Sequence, residues 1–450
     1  MEDYLYPFLK LYKSLPTKAQ QFVGMLYTLL PARRKYGDFY QEYSSRIRAY
    51  QHGDFDARAL LESTKKYAAE NIPFYKNKDA SQELSQFGII DKDIISSQKE
   101  LFVNSKLSNF FLQSNTGGTS GNPFAFYLHR GMSRSKEKAH FDWYWGQFSY
   151  ERGDKVLMLR GAPLKDNKLF EYQAIDNKLA ASCYQLNSGN IESLMKAIKN
   201  FRPKFIHAYP SSLKTFTLLM QNKNYEAPPL QAIFLGSEYL SSQDRKLFEA
   251  YYTARVVNWY GHSELLVHAG NCQFSNDYHI YPFYGHVELI TEGNNINQPG
   301  KVGKIIGTGF DNQVMPLIRY DTGDLAEYSN SGQCKCGFKG YSFGKIHGRE
   351  QNYIVLNDKT EVSVTAFIFG QHFEEFNKMR EIQLVQDREG YLLVRIVPNE
   401  LFSIENIKQL KEKMARSVSH KIDVSIELVE STEKTLMGKH RILLQNINNH

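Results

Sequence analysis

The sequence predicts an α/β protein in two parts. A large N-terminal domain of parallel strands covered by helices includes a small β-barrel-like portion, and a small mobile α+β domain follows. Three observations carry this. Residues 100–240 alternate strand-like and helix-like segments, the pattern of parallel sheets with helical crossovers. From 278 to 330 short alternating runs such as HVELI and KVGKIIGTGF sit between Asn/Gly-rich turns, which predicts antiparallel strands or a small barrel. Beyond Gly348 the order is IQLVQ, YLLVRIV, a helical stretch and VSIELV, which suits an α+β unit of about 100 residues. The division falls at 348–352, giving domains 1–348 and 349–450.

Residues 1–75 read as helices, because Ala19 to Leu30, Phe39 to Tyr50 and Phe55 to Glu70 space their apolar positions at the helical period. The alternating region gives a strand at Lys155–Leu159, a helix at Ile191–Asn200 and a strand at Phe205–Ala208. A helix at Ser211–Gln221, a strand at Ala232–Leu235, a helix at Gln243–Tyr252 and a strand at Arg255–Trp259 follow. In the last domain the helix is Ile404–Val418.

The 450 residues are 42% hydrophobic and 23% charged, which excludes a disordered, collagen-like or disulfide-stapled chain. A mean hydropathy of −0.48 argues against an integral membrane protein. The apolar stretch Phe22–Leu30 is too short to span a bilayer. It precedes Arg33, Arg34 and Lys35, so it reads as an amphipathic helix packed on its own domain, with contact to acidic lipid as the rival. The start MEDYLYPFLKLYKSLP shows no cleavable leader, and only Cys183, Cys272, Cys334 and Cys336 occur, so a reducing, cytoplasmic setting is expected. The net charge of +7 fits anionic small molecules and makes no case for nucleic acid.

Six segments have the residue types that chemistry needs. Ser114-Asn-Thr-Gly-Gly-Thr-Ser-Gly-Asn-Pro123 offers free amides and hydroxyls for phosphate oxygens, although it is no Walker loop and an ordinary flexible loop has the same composition. Trp259-Tyr-Gly-His-Ser-Glu264 follows a predicted strand, where open parallel sheets bind ligands. Its Glu264 can hold Mg²⁺ and Tyr260 can flank a base; a solvated strand-end turn is the alternative. Arg319-Tyr-Asp-Thr-Gly-Asp324 places an Asp where a ribose diol could bind, or forms a plain β-turn. Gly348-Arg349 marks the domain boundary. Leu436-Met-Gly-Lys-His-Arg441 carries Lys439 on a Gly turn, which alone reads as solvated. Cys334-Lys-Cys336, with Cys272 and His279 upstream, matches a structural Cys₃His zinc site, with His268 or His286 as substitute ligands and free loop thiols as the rival. Cys183 reads as a buried thiol.

In this order the segments resemble the adenylate-forming (AMP-binding) superfamily in its phenylacetate–CoA ligase branch, over essentially the whole chain. Thr116, Gly117, Gly118, Thr119, Ser120 and Gly121 resemble the phosphate loop, with Phe124 where a Lys often follows the Pro. Leu235-Gly-Ser237-Glu238, next to Tyr239, resembles the adenine-side strand end. Tyr260-Gly261-His262-Ser263-Glu264 resembles the motif whose acid supports Mg²⁺–ATP. Tyr320-Asp-Thr-Gly-Asp324 resembles the motif whose last Asp grips the ribose. Gly348-Arg349 resembles the junction, with Arg349 near ribose and phosphate, and Lys439 matches the lysine that meets the reacting carboxylate and α-phosphate. The segments LPTKAQ…ARRKYGDFY, NIPFY and GREQNYIVLNDKTEVSV look more like the CapK-like capsule-polysaccharide subgroup, and the Cys/His pattern recurs among such relatives. Two positions depart from the family: the hinge, usually Asp, is Gln351, and Asp321 stands where Arg is common.

The resemblance implies ATP-dependent activation of a small carboxylic acid to an acyl- or aryl-adenylate and then a coenzyme A thioester, in surface-polysaccharide or secondary-metabolite biosynthesis. It implies ATP/AMP, Mg²⁺, coenzyme A and structural Zn²⁺ as cofactors, and it allows a homodimer. His140, Tyr144, Tyr209 and Trp259 flank the motifs and are the expected pocket residues. Two other functions remain open at this level: acyl transfer to a sugar or carrier without coenzyme A, and a nucleotide-binding scaffold in a polysaccharide assembly.

Overall fold

The computed structural model describes residues 11–12, 14–115, 125–160, 164, 168–182, 186–329, 333–349, 353–359, 361–364, 367, 375, 378–418, 420–434 and 440–447. The N-terminal stretch contains the helices α1 (Thr17–Leu29), α2 (Ala32–His52) and α3 (Ala57–Asn71). Helix α2 begins before the predicted Phe39 because a first turn precedes Gly37, whose φ of 78° interrupts the helix. Gly53 ends α2 in the left-handed region, and the Asp56 side chain caps α3 through the amides of Arg58 and Ala59. A short α4 (Lys92–Ser97) leads to the hairpin of β1 (Phe111–Asn115) and β2 (Ala125–His129), followed by α5 (Met132–Gly146).

The alternating region folds as its pattern predicts. It contains β3 (Val156–Arg160), β4 (Phe170–Gln173), β5 (Lys178–Ser182), α6 (Ile191–Phe201), β6 (Phe205–Ala208), α7 (Pro210–Asn222), β7 (Ala232–Gly236), α8 (Ser242–Tyr252) and β8 (Arg255–Gly261). Strands β5, β3, β6, β7 and β8 run parallel side by side. Every residue of β7 is buried, so its sequence is a continuous apolar run rather than an alternation. Helices α6, α7 and α8 bury Leu194, Ile198, Leu213, Phe216 and Phe248 against Leu157, Ile206 and Ile233.

The antiparallel part is β9 (His268–Gly270), β10 (Tyr278–Ile280), β11 (Gly285–Thr291), β12 (Asn294–Asn295), β13 (Val302–Gly309), β14 (Tyr320–Ser329) and β15 (Ser342–Arg349). These strands are hydrogen-bonded into the parallel ones through the β8–β9 and β9–β10 pairs. One 13-stranded sheet results, ordered β12-β11-β13-β14-β15-β10-β9-β8-β7-β6-β3-β5-β4. The strands that read as barrel-like are thus an extension of the central sheet.

The C-terminal part holds β16 (Tyr353–Val355), β17 (Glu361–Ser363), β18 (Met379–Gln386), β19 (Tyr391–Pro398), α9 (Ile404–Ser417), β20 (Asp423–Leu428) and β21 (Leu443–Gln445). Its four-stranded sheet is ordered β20-β19-β18-β21, with α9 crossing between the parallel β19 and β20. Ile354, Leu384, Val394, Leu410 and Met414 belong to a core built only from residues of this part.

Candidate active site

The C-terminal ends of β6, β7 and β8 point the same way, and Gly236 pairs with Trp259. The residues that follow β7 and the end of β8 therefore emerge side by side, at the edge where open α/β sheets bind ligands. After β8 the chain turns at Leu265, which has a φ of 60°. That turn buries the Glu264 side chain, leaving 7% exposure. His262 Nδ1 lies 2.9 Å from Glu264 Oε2, and Tyr320 Oη donates to Oε1 at 3.0 Å. Burial alone would raise the Glu264 pKa. The hydrogen bond and charge of His262, together with the Tyr320 hydroxyl, outweigh it and hold the carboxyl below its ordinary value.

The Glu264 turn is braced from below. Lys136 on α5 is buried, and its Nζ donates to Leu265 O at 3.0 Å and to Tyr284 O at 2.8 Å. The same Nζ pairs with Asp311 at 2.7 Å, and Asp311 also receives Arg46 at 2.8 Å. Sequence reading passed over Lys136, because a lysine on an amphipathic helix normally reaches solvent.

Beside Glu264, Tyr260 Oη donates to Asp324 Oδ2 at 2.7 Å. Asp324 opposes Arg349 across the β14–β15 ladder, so the two backbones adjoin. Asp321 accepts from the Gly323 amide at 2.8 Å and faces Lys304 at 3.5 Å. Arg319 is not presented to the crevice: it is buried and makes a two-pronged pair with Glu288. After β7, Ser237 adopts a φ of 67° and is exposed, whereas Glu238 and Tyr239 are half-buried. Glu238 accepts from the Ser211 amide and hydroxyl at the start of α7, at 3.0 and 3.1 Å. It also accepts from the His440 amide at 3.0 Å, which ties the C-terminal part to the strand ends. Lys439, Gln351 and the loop from Thr116 to Gly121 lie outside the described residues, as does the side chain of Arg349.

A cavity of about 1610 Å³ is lined by α1, α5, β3, β4 and β5, by His207 and by Trp259. Of the expected pocket residues only Trp259 lines it. His140 is fully buried among Tyr43, Phe283 and Tyr284, with its Nδ1 2.6 Å from Lys136 O. Tyr144 is also fully buried and donates to Asn271 O at 2.8 Å; a Cβ on Gly270 would come within 2.2 Å of its hydroxyl. Tyr209 is buried at the start of α7. Helical rotation is the reason for the difference: Glu137, Phe141 and Trp145 on α5 face the cavity, while His140 and Tyr144 turn inward. The alternation of polar and aromatic residues along α5 gave no signal as to which face was which.

The four expected zinc ligands do converge: the ligand atoms of Cys272, His279, Cys334 and Cys336 lie within 4.8 Å of one another. Cys272 Sγ and Cys334 Sγ are 3.6 Å apart, and Cys336 Sγ is 3.4 Å from His279 Nε2. Tetrahedral zinc with bonds of about 2.3 Å spaces its sulfur ligands about 3.8 Å apart, so the donor set fits. Ser342 Oγ, 3.0 Å from His279 Nδ1, orients the ring with Nε2 toward the thiols. The amides of Phe274 and Ser275 donate to Cys272 Sγ at 3.3 and 3.2 Å, as suits a thiolate. Burial holds the His279 imidazole down to about 4, so it is a neutral ligand at ordinary pH. Neither His268 nor His286 belongs to the cluster. Cys183 lies outside the described residues.

Among the described residues no helix is long and apolar enough to cross a membrane. Residues 356–446 match the CapK C-terminal domain model. The chain is 24% identical over 438 residues to Protein CapK of Staphylococcus aureus, covering 92% of this chain and 94% of that protein. It is 24% identical over 278 residues to a phenylacetate-coenzyme A ligase of Thermus thermophilus, covering 56% of this chain and 61% of that one. Its fold is that of a 2-hydroxyisobutyryl-CoA ligase solved with an acyl-AMP ligand in the postadenylation state, with a TM-score of 0.63, 18% identity, and 86% and 88% of the two chains covered. The chain is therefore similar to Protein CapK over nearly its whole length, its residues 356–446 match the CapK C-terminal domain, and it has the fold of 2-hydroxyisobutyryl-CoA ligase.

Proposed function

We propose that the chain activates a carboxylic acid with ATP, forming an acyl-adenylate and pyrophosphate, and then passes the acyl group to coenzyme A. The observation that supports this most is the buried Glu264 carboxylate, kept ionised at the strand-end crevice, with the Tyr260–Asp324 pair beside it and the segment next to Lys439 hydrogen-bonded to the same edge. We assign the triphosphate to Thr116–Gly121, the adenine side to Ser237, Glu238 and Tyr239, and the ribose to Asp324 and Arg349. Gly261, His262 and Ser263 complete the Glu264 turn.

Each Glu264 oxygen accepts one hydrogen bond and keeps a lone pair free, so the group fits a divalent cation. Mg²⁺ held there would neutralise phosphate charge. The remaining work is positioning. The substrate carboxylate attacks the α-phosphorus, the bond to the pyrophosphate oxygen breaks, and no proton transfer is needed because the acid is already ionised. Lys439 would stand against the charge that builds on the α-phosphoryl oxygens. We divide the chain into a catalytic body, 1–348, and a lid, 349–450, which turns about Gln351 to withdraw Lys439 before thioester formation; the separate C-terminal core supports that division. We assign Zn²⁺ a structural role, since four protein ligands leave no open position. The CapK likeness is the basis for placing the reaction in surface-polysaccharide or secondary-metabolite synthesis.

Lys439→Ala tests the assignment. It should abolish acyl-adenylate formation, by about 100-fold or more, while leaving thioester formation from supplied acyl-adenylate and coenzyme A near wild type. Equal loss of both half-reactions would refute the role of Lys439. Adenylate formation without any acyl-CoA would point to a sugar or carrier as acceptor.

A further inference from the structure

We propose that Glu137 selects the acid: it binds a hydroxyl or ammonium group carried close to the reacting carboxylate. This rests on the acid-activation reading and narrows its substrate class. Glu137 lies on the cavity-facing side of α5, with Phe141 and Trp145 one and two turns along, and with Trp259 across from them. Its Oε1 accepts the Tyr284 hydroxyl at 2.6 Å. Its Oε2 accepts no hydrogen bond from the described residues, and the half-buried side chain faces the cavity. A ligand that fills the cavity strips water from that oxygen, which then has a strong demand for a donor.

The neighbouring cation does not meet the demand. Lys136 Nζ is already saturated by Leu265 O, Tyr284 O and Asp311. The partner must therefore arrive with the ligand. Contacts also link Glu137 to the proposed reaction site. Tyr284, which holds Glu137 through its hydroxyl, gives its carbonyl to the same Lys136 Nζ that grips Leu265, the residue after Glu264. Glu137 is thus joined through Tyr284 and Lys136 to the turn that carries Glu264, where we place the reacting carboxylate, and it feels the charge of His262. Burial raises its pKa, as expected of a carboxyl whose ionised form lacks a second donor.

Matched acids test this: phenylacetate against mandelate and phenylglycine, and butyrate against 2-hydroxybutyrate and 2-aminobutyrate. Binding is read from tryptophan fluorescence, because Trp145 and Trp259 line the cavity, and turnover from acid-dependent pyrophosphate release with MgATP. In wild type, at least one donor-bearing member should bind about 10- to 100-fold tighter than its plain counterpart. Glu137→Ala should bring that preference within about threefold. Glu137→Gln keeps an oxygen for Tyr284 and should remove an ammonium preference more than a hydroxyl one; it also decides the matter if the Ala variant does not fold. Equal binding within each pair, no binding by any of these acids, or a preference unchanged in both variants would overturn the role of Glu137. Donor-dependent binding without pyrophosphate release would overturn acid activation and leave that role standing.

Discussion

Lys136, Asp311 and Arg46 form a buried ionic group under the Glu264 turn, and burying such charges costs more than most cores spend. Lys136→Met keeps the length of the side chain but leaves two backbone carbonyls and one oxygen of Asp311 without their partner. We expect a loss of about 3 kcal/mol in urea denaturation; a loss under about 1 kcal/mol would mean that the group contributes little. Glu264 gives a second test with a defined sign. Its folded pKa lies below the ordinary 4.5, so its ionised form adds stability that is complete above that value and disappears as pH falls through the lower folded one. The stability difference between wild type and Glu264→Gln should be constant above about pH 5 and shrink below it. A difference that grows toward acid would contradict the assignment of an ionised, hydrogen-bonded carboxylate. At this scale the sequence was legible where a motif marked the residue, as at Glu264 or Asp324. It was silent at Lys136 and Glu137, whose environment is made by the sequence-distant Tyr284 and Asp311.

The four candidate zinc ligands lie in or next to β9, β10 and β15 of the large sheet. His279 is in β10, Cys272 follows β9, and Cys334 and Cys336 precede β15. Strands β9 and β10 have three residues each, too few to gain much from their own ladders, yet they join the parallel strands to the antiparallel ones. A metal bound there would fix a junction that backbone pairing alone leaves weak. Protein purified without chelator should contain one zinc per chain, and removal of zinc or Cys334→Ser should lower the melting temperature by about 5 °C or more. Metal-free protein with an unchanged melting temperature would count against the tie. The elements themselves were largely legible. The run AIFL is a fully buried strand, RVVNW is one buried at its centre, and the spacing within α6 and α9 shows a single apolar face. The inward face of α5 was not legible, since both of its faces carry aromatic residues and only packing against Phe283 and Tyr284 sets its rotation.

Over the whole molecule, the segments around Glu238, Glu264 and Asp324 lie far apart in sequence and meet because the parallel strands end at one edge and β14 and β15 reach it from the other half of the sheet. The order of motifs made that convergence readable. The continuity of the 13-stranded sheet was not, because pairing partners such as β10 and β15 are distant in the chain and carry no local signal. The hydrogen bond from the His440 amide to Glu238 joins the C-terminal part to the strand ends, a contact that the proposed lid would need. The most direct measurement is pyrophosphate release from MgATP by the purified full-length chain, across aryl, short-chain, hydroxy and amino acids. Acid-dependent release that falls about 100-fold or more in Glu264→Gln is the expected result. Pyrophosphate release that no acid stimulates, or that Glu264→Gln leaves unchanged, would contradict acid activation at this site.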